Sequence, residues 1–338
     1  MKNKIISSAP LGFPWETQDP FLFCAYHRDE YPKGNESMEP DTTLEGRNIG
    51  QDFIIKDGWR MYHGSNIPGF PFHPHRGFET ITINKEGFVD HTDSLGAAGR
   101  FGAGDVQWMT AGKGVQHSEM FPLINKDKEN PLEMFQIWLN LPKVSKFVEP
   151  HFKMLWREEI PTIKEKDTNG NTIEIDVIAG DYKNTKALSP TPNSWAANAD
   201  NGVSILTIKL SANAKWTLPA AVSSDLKKTL YLYKGSTIQI DNQAIPSNYS
   251  VQVLANEDIT FQAGNDDSYI LVLQGKPINE PVVKYGPFVM NTELEIQEAF
   301  QDYRRTEFGG WPWPNQEQVH DRDRGRFALH ADGTEENR

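Results

Sequence analysis

The chain holds a single cysteine, Cys24, among 338 residues. No internal disulfide can form, and a lone cysteine fits a reducing compartment. Cys24 sits in the apolar run Phe21-Leu22-Phe23-Cys24-Ala25, where a buried, inert thiol is expected. No apolar run approaches the length of a membrane-spanning helix. The first twenty residues carry too short an apolar stretch for a signal-peptide core, so a cytoplasmic protein is expected. Positive charge is also scarce. The formal net charge is −12, which disfavours generic binding to nucleic acid or anionic lipid. There is no P-loop, no G-x-S-x-G elbow and no dinucleotide fingerprint. Helical periodicity is almost absent, and no histidine lies between His151 and His320.

What is present is β-pattern. Short runs rich in Ile, Phe, Thr and Trp at 52–56, 59–63, 79–85, 88–91, 105–110 and 135–141 are broken by glycine turns. A second set follows at 172–179, 203–210, 229–233, 237–240, 250–254, 260–262 and 269–273. Many short strands at close spacing predict an all-β sandwich or barrel. Leu230-Tyr231-Leu232-Tyr233-Lys234-Gly235 parallels Ile81-Thr82-Ile83-Asn84-Lys85-Glu86-Gly87, a weak internal repeat that predicts two barrels of one kind. The chain divides into an irregular N-terminal segment (1–50, with one short strand at 21–26), a first barrel (51–148), a second barrel (149–285) and a helix with an extended tail (286–338). The stretch 142–161 is a candidate linker. The helix opens on a capping box, Thr292 to Glu295, and carries an apolar stripe of Leu294, Ile296, Ala299, Phe300 and Tyr303. Trp311, Trp313 and Phe327 predict that the tail docks, with its last eight or so residues frayed.

The chemistry concentrates between Gly69 and Met120. His73 and His75 form an H-P-H triplet; His117 and Glu119 form H-S-E. On a strand, residues i and i+2 share a face, so each pair projects two metal-binding groups roughly 7 Å apart. Two such strands side by side bring three imidazoles and one carboxylate to a point. An H-x-H alone is more often a polar strand face; the H-x-E after an intervening strand makes a metal the better reading. Four protein ligands leave two open positions on an octahedral metal, a pattern that favours iron(II), with nickel, copper, cobalt, manganese or zinc as alternatives. The open positions suit a bidentate small molecule or O₂.

Other residues compete. Glu79, four after His75, has the parity of the ligand face if the strand runs on, and is a candidate supporting or alternative ligand. His91 and Asp93 also form an i, i+2 pair but read as a solvated strand end. Arg76 stands at the mouth of the site or in a structural pair. Trp108, Met109, Phe135, Ile137 and Trp138 are expected to pack the barrel. His27, His63, His151, His320 and His330 have no ligand-like partners.

These residues resemble the pirin family of bicupins. The matching segments are His73-Pro-His-Arg-Gly-Phe-Glu-Thr80, Asp93-Ser-Leu-Gly96, Gly104-Asp-Val-Gln-Trp-Met-Thr-Ala-Gly112, His117-Ser-Glu-Met120 and Phe135-Gln-Ile-Trp-Leu-Asn-Leu-Pro142. In the second half Gly275-Lys-Pro-Ile-Asn-Glu-Pro281 and Tyr285-Gly-Pro-Phe-Val-Met-Asn-Thr292 match as well. The resemblance implies two jelly-roll-like cupin barrels face to face. It places iron in the N-terminal barrel on His73, His75, His117 and Glu119, and leaves the C-terminal barrel metal-free. The N-terminal segment and the tail after Tyr303 depart from the shorter pirins.

Family members have been described as flavonol (quercetin) dioxygenases and as iron-dependent transcriptional cofactors. As an enzyme, the chain would act on a small aromatic or enediol substrate together with O₂, with Glu119 as the base that takes the substrate hydroxyl proton. As a regulator, its iron would change an interface with a protein partner according to redox state.

Overall fold

The computed structural model describes residues 3–338. The strands, in chain order, are β1 Ile5–Pro10, β2 Phe21–Tyr31, β3 Gly69–His75, β4 Phe78–Glu86, β5 Phe88–Asp93, β6 Ala98–Gly102, β7 Val106–Thr110, β8 Val115–Met120, β9 Asn130–Asn140 and β10 His151–Leu155. Then come β11 Thr162–Lys166, β12 Thr172–Ala179, β13 Asp181–Tyr182, β14 Thr185–Lys186, β15 Ser204–Leu210, β16 Lys215–Leu218, β17 Lys227–Lys234, β18 Ile238–Ile240, β19 Gln243–Ile245, β20 Tyr249–Leu254, β21 Ile259–Gln262 and β22 Ser268–Gly275. The last part holds β23 Val283–Tyr285, β24 Phe288–Met290, the helix α1 Glu293–Thr306, β25 Phe327–Leu329 and β26 Glu335–Asn337. The all-β expectation holds, with one α-helix among the described residues.

Two compact units form. One contains the described residues up to Cys24 together with Glu158–Asn279; the other contains Ala25–Arg157 and Glu280–Arg338. Each is a pair of antiparallel sheets. In the second-named unit, here the first barrel, one sheet runs β10-β7-β4-β9-β2 and the other β26-β25-β6-β5-β8-β3. In the other unit, the second barrel, a seven-stranded sheet runs β1-β20-β17-β22-β15-β12-β11 and faces the sheet β16-β21-β18-β19. Alternation dictates the second core. Ile173, Ile175 and Val177 of β12 point inward and are nearly inaccessible, and they meet Leu206, Ile208, Leu230, Leu232 and Val272. Its apolar interior is the main source of stability.

The N-terminal segment is more regular than its composition suggests. β1 pairs with β20, Ile5 opposite Val253 and Pro10 opposite Tyr249. Only Ile5 of that strand is buried, so an edge strand with five exposed positions leaves no alternating signal. β2 extends to Tyr31, well past residue 26. Its charged end, His27 to Glu30, hides the strand in sequence. Asp29 is buried there because Arg60 grips it with two hydrogen bonds of 2.9 Å and the Tyr62 hydroxyl donates to it at 2.7 Å. Conversely, 52–56 and 59–63 are not strands. Their backbones pair only through the isolated bridges Asp52 to Tyr62 and Lys56 to Trp59, and Ile54 and Ile55 are exposed. The stretch 142–161 is not a free linker, since β10 within it pairs with β7.

α1 begins as its sequence prescribes. The Thr292 side chain accepts from the Glu295 amide while the Glu295 carboxylate accepts from the Thr292 amide. Ile296 and Ala299 pack on Phe288 and Met290. The tail docks on the first barrel. Phe327 is buried and pairs with Arg100 through β25 and β6, and the Trp313 indole N–H donates to the Asp93 carbonyl at 2.8 Å. The end of the chain is not frayed, because Glu335–Asn337 pair with β25.

Candidate metal centre

β3 and β8 are adjacent and antiparallel, with His73 directly opposite His117. Between Phe70 and His73 the register shifts: three steps on β3 span two on β8, a β-bulge at Pro71 and Phe72. The bulge frees backbone groups from the ladder, and both are used. The Pro71 carbonyl accepts from His73 Nδ1 at 2.8 Å, and the Phe72 amide donates to the Gln316 carbonyl of the tail at 3.1 Å. His75 Nδ1 donates to the Pro287 carbonyl at 3.3 Å. In both histidines a backbone acceptor takes the Nδ1 proton, which leaves Nε2 as the lone-pair nitrogen.

One ring nitrogen from each of His73, His75 and His117 lies within 4.8 Å of the other two. The ring centroids are 4.5 Å apart for His73 and His117, 4.7 Å for His73 and His75, and 4.9 Å for His75 and His117. His117 is inaccessible, and neither of its ring nitrogens has a hydrogen-bond partner. An orphaned buried imidazole costs free energy unless something coordinates it. Burial holds His73 down to about 4, and it pushes His75 and His117 well below the usual imidazole range; neighbouring imidazoles add to this in all three. All three are therefore neutral near pH 7, the form a metal needs. The donor set fits a divalent transition metal.

Glu119 follows His117 by two residues on β8 and is completely buried. Its carboxylate is not in the 4.8 Å group formed by the three imidazoles. Thr82 Oγ1 donates to Oε1 at 3.0 Å and Gln136 Nε2 donates to Oε2 at 2.5 Å. Burial raises its proton affinity above the ordinary glutamate value, opposed by His91 and by these two donors.

The remaining candidates separate. Glu79 does not share the ligand face. The chain breaks at Arg76-Gly77 between β3 and β4, and Gly77 has φ +88, where a Cβ would overlap the Val289 carbonyl. Parity is therefore reset. Glu79 lies opposite the Thr80 and Thr82 face and accepts from Trp108 Nε1 at 3.2 Å and Thr110 Oγ1 at 2.7 Å. Arg76 is a structural pair: it donates to the Lys113 carbonyl at 2.6 Å and to Asp302 at 3.0 Å. Cys24 is buried, and burial pushes its thiol up, as an inert cysteine requires.

His91 and Asp93 are the residues that sequence reasoning misplaced. Neither is solvated: both are completely buried. His91 lies opposite Glu119 on the neighbouring strand, 5.4 Å from the His117 ring, and stacks on Phe152 at 5.0 Å. Its ring nitrogens contact Gln107 Nε2 at 3.2 Å and Asp93 Oδ2 at 3.4 Å. The neighbouring Asp90 made this stretch look like a solvent-facing end. In the structure Arg100 neutralises Asp90 through two 2.7 Å hydrogen bonds and also donates to the His320, Asp321 and Arg322 carbonyls. A tail more than two hundred residues away makes that burial possible, and no local pattern signals it.

Among the described residues no helix is long and apolar enough to cross a membrane. Comparison with known proteins agrees with the two-barrel architecture. The pirin family model matches residues 15–139 and the model of the pirin C-terminal cupin domain matches 205–309. Human pirin is 34% identical over 265 residues, 76% of this chain and 82% of that protein. Pirin-1 of Arabidopsis thaliana is 36% identical over 253 residues, 71% and 78% of the two chains. A crystal structure of quercetin 2,3-dioxygenase from Acinetobacter baumannii superposes with a TM-score of 0.70 at 27% identity, covering 91% of this chain and 98% of that one. With both barrels matched in sequence and in fold, the chain belongs to the pirin family.

Proposed function

We propose that the first barrel holds one divalent metal, iron(II) by preference, on His73, His75, His117 and Glu119, and that the protein is a dioxygenase of quercetin-like flavonols or related enediols. The observation that carries this reading is the cluster of three neutral imidazoles, two of them buried and one without any other partner. The likeness to a quercetin 2,3-dioxygenase supports the substrate class.

A bound metal would lower the pKa of a coordinated enol or phenol and bring it together with O₂. The chain supplies the rest. The Pro71 and Pro287 carbonyls fix the tautomers of His73 and His75. Glu119 sits where burial favours the protonated form, the direction required of a group that takes the substrate hydroxyl proton. Thr82 and Gln136 hold that carboxylate in place.

The test is metal analysis of the purified protein followed by oxygen uptake against flavonols and other enediols. Uptake proportional to bound iron supports the enzyme. Tight iron binding without uptake on any substrate contradicts it and favours an iron-dependent regulator acting through a protein partner.

A further inference from the structure

The second barrel holds a cavity of about 590 Å³ at one end, open to solvent on one side. Strand register builds it in layers. Leu230, Val272, Leu206 and Val177 stand side by side across β17, β22, β15 and β12. One step toward the cavity, the same face carries Lys228, Gln274 and Ser204. The inner wall is aliphatic, with Leu206, Val272, Leu218 and Leu226; Lys228, Gln274 and Ser204 make one end polar, and Asp181, Lys183 and Lys186 line the cavity as well.

Lys228 is 2% exposed. Its ammonium donates only to the Ala255 carbonyl at 3.2 Å and the Pro219 carbonyl at 3.4 Å, both long. It has no ion-pair partner among the described residues. Lys146, the other buried lysine, shows what a satisfied one looks like: its three donors meet Gly77 O at 2.8 Å, Asn140 Oδ1 at 2.9 Å and Val289 O at 3.1 Å. Lys228 lines the cavity, and its third ammonium proton has no acceptor among the described residues. Burial lowers its pKa to about 8, with Asp258 opposing, so it remains mostly protonated near pH 7. An unpaired buried cation is costly, and a cavity of this size suits a small-molecule ligand.

We propose that this cavity is a second ligand site, binding a small organic carboxylate whose anionic end pairs with the Lys228 ammonium and whose apolar body packs on Leu206, Leu218 and Val272. In a chain of net charge −12, an anion needs such a local cation to bind. The site lies in the barrel without histidines and is independent of the metal reading.

The experiment is calorimetric titration of the full-length protein with benzoate and octanoate, each beside its neutral amide, benzamide and octanamide. At least one carboxylate should bind once per chain, at least about tenfold tighter than its amide, the worth of a charge-assisted hydrogen bond. Lys228→Met, which keeps the volume of the stem, should remove that preference. His117→Ala should leave it intact, which separates this site from the first barrel. Equal affinity for acid and amide overturns the proposal without any variant. So does unchanged carboxylate binding in Lys228→Met, loss of binding in His117→Ala, or no binding by either acid.

Discussion

The two barrels share a scaffold and differ in what they put inside it. β4 is an interior strand of its sheet between β7 and β9, and β17 is an interior strand between β20 and β22. Both carry a register shift at the same distance from their turn glycines, at Asn84 to Glu86 before Gly87 and at Leu232 to Lys234 before Gly235. Counted back from those glycines, Thr80, Thr82 and Asn84 correspond to Lys228, Leu230 and Leu232. In the first barrel Thr82 stands between Gln107 and Gln136, a polar row beneath Glu119. In the second, Leu230 stands between Val251 and Val272 within the apolar core. One barrel uses its interior to orient polar groups around a buried site. The other uses it for cohesion and keeps a single charged residue, Lys228, at one end. Fold is common to both; what differs is the polarity of the interior.

The largest effect separating the barrels should come from Glu119→Gln. The amide retains an oxygen but is a poor base, so oxygen uptake per bound metal should fall about 10²–10⁴-fold, measured at matched metal occupancy. Equal rates per metal would remove Glu119 from proton transfer.

Arg100→Met sharpens the contrast in how the barrels handle buried charge. It leaves Asp90 inaccessible and without its cation, a loss of about 3–5 kcal/mol in denaturant unfolding, typical of a broken buried pair. Lys228→Met removes a charge that has no carboxylate partner and should leave the melting temperature unchanged or higher. A large loss in Lys228→Met would show that its two carbonyl contacts matter more than its charge.

Between about pH 6.5 and 4, histidine protonation should act on the first barrel alone. Every histidine lies outside the residues of the second barrel. His73 titrates at about 4 when folded against 6.5 when free, and His75 and His117 are also lowered. Below pH 6.5 the unfolded chain thus binds more protons than the folded one, and stability falls with pH. The metal-free protein should keep this contribution above about 6.5 and lose it progressively toward about 4; the raised carboxyl of Glu119 opposes part of the loss. Amide exchange resolved by barrel checks it, with protection lost first in the first barrel.

Much of this was legible in the sequence because it is local. The H-x-H and H-x-E spacings fix a shared strand face, and Thr292 to Glu295 fixes a helix start. What stayed hidden depends on distant partners. β1 is a strand only because β20 receives it. Asp90 is buried because Arg100 and the tail enclose it, while its neighbour His91 turns inward and stacks on Phe152. The Glu79 reading failed at one glycine that resets strand parity. Even the internal repeat, visible as two similar strands, was offset by one residue. Pairing Leu230 with Ile81 aligns an inward side chain with one on the face opposite Thr82, and the turn glycines supply the correct register.

The central claim is that one barrel, and only one, holds a metal, on imidazoles from β3 and β8. Metal content by mass spectrometry, for wild type and His117→Ala purified side by side with circular dichroism as the check on folding, tests it most directly. The account predicts about one metal per wild-type chain and metal affinity reduced in the folded variant by more than the 10–100-fold that loss of a ligand's supporting partner costs. Two metals per chain, or full occupancy in His117→Ala, would contradict it.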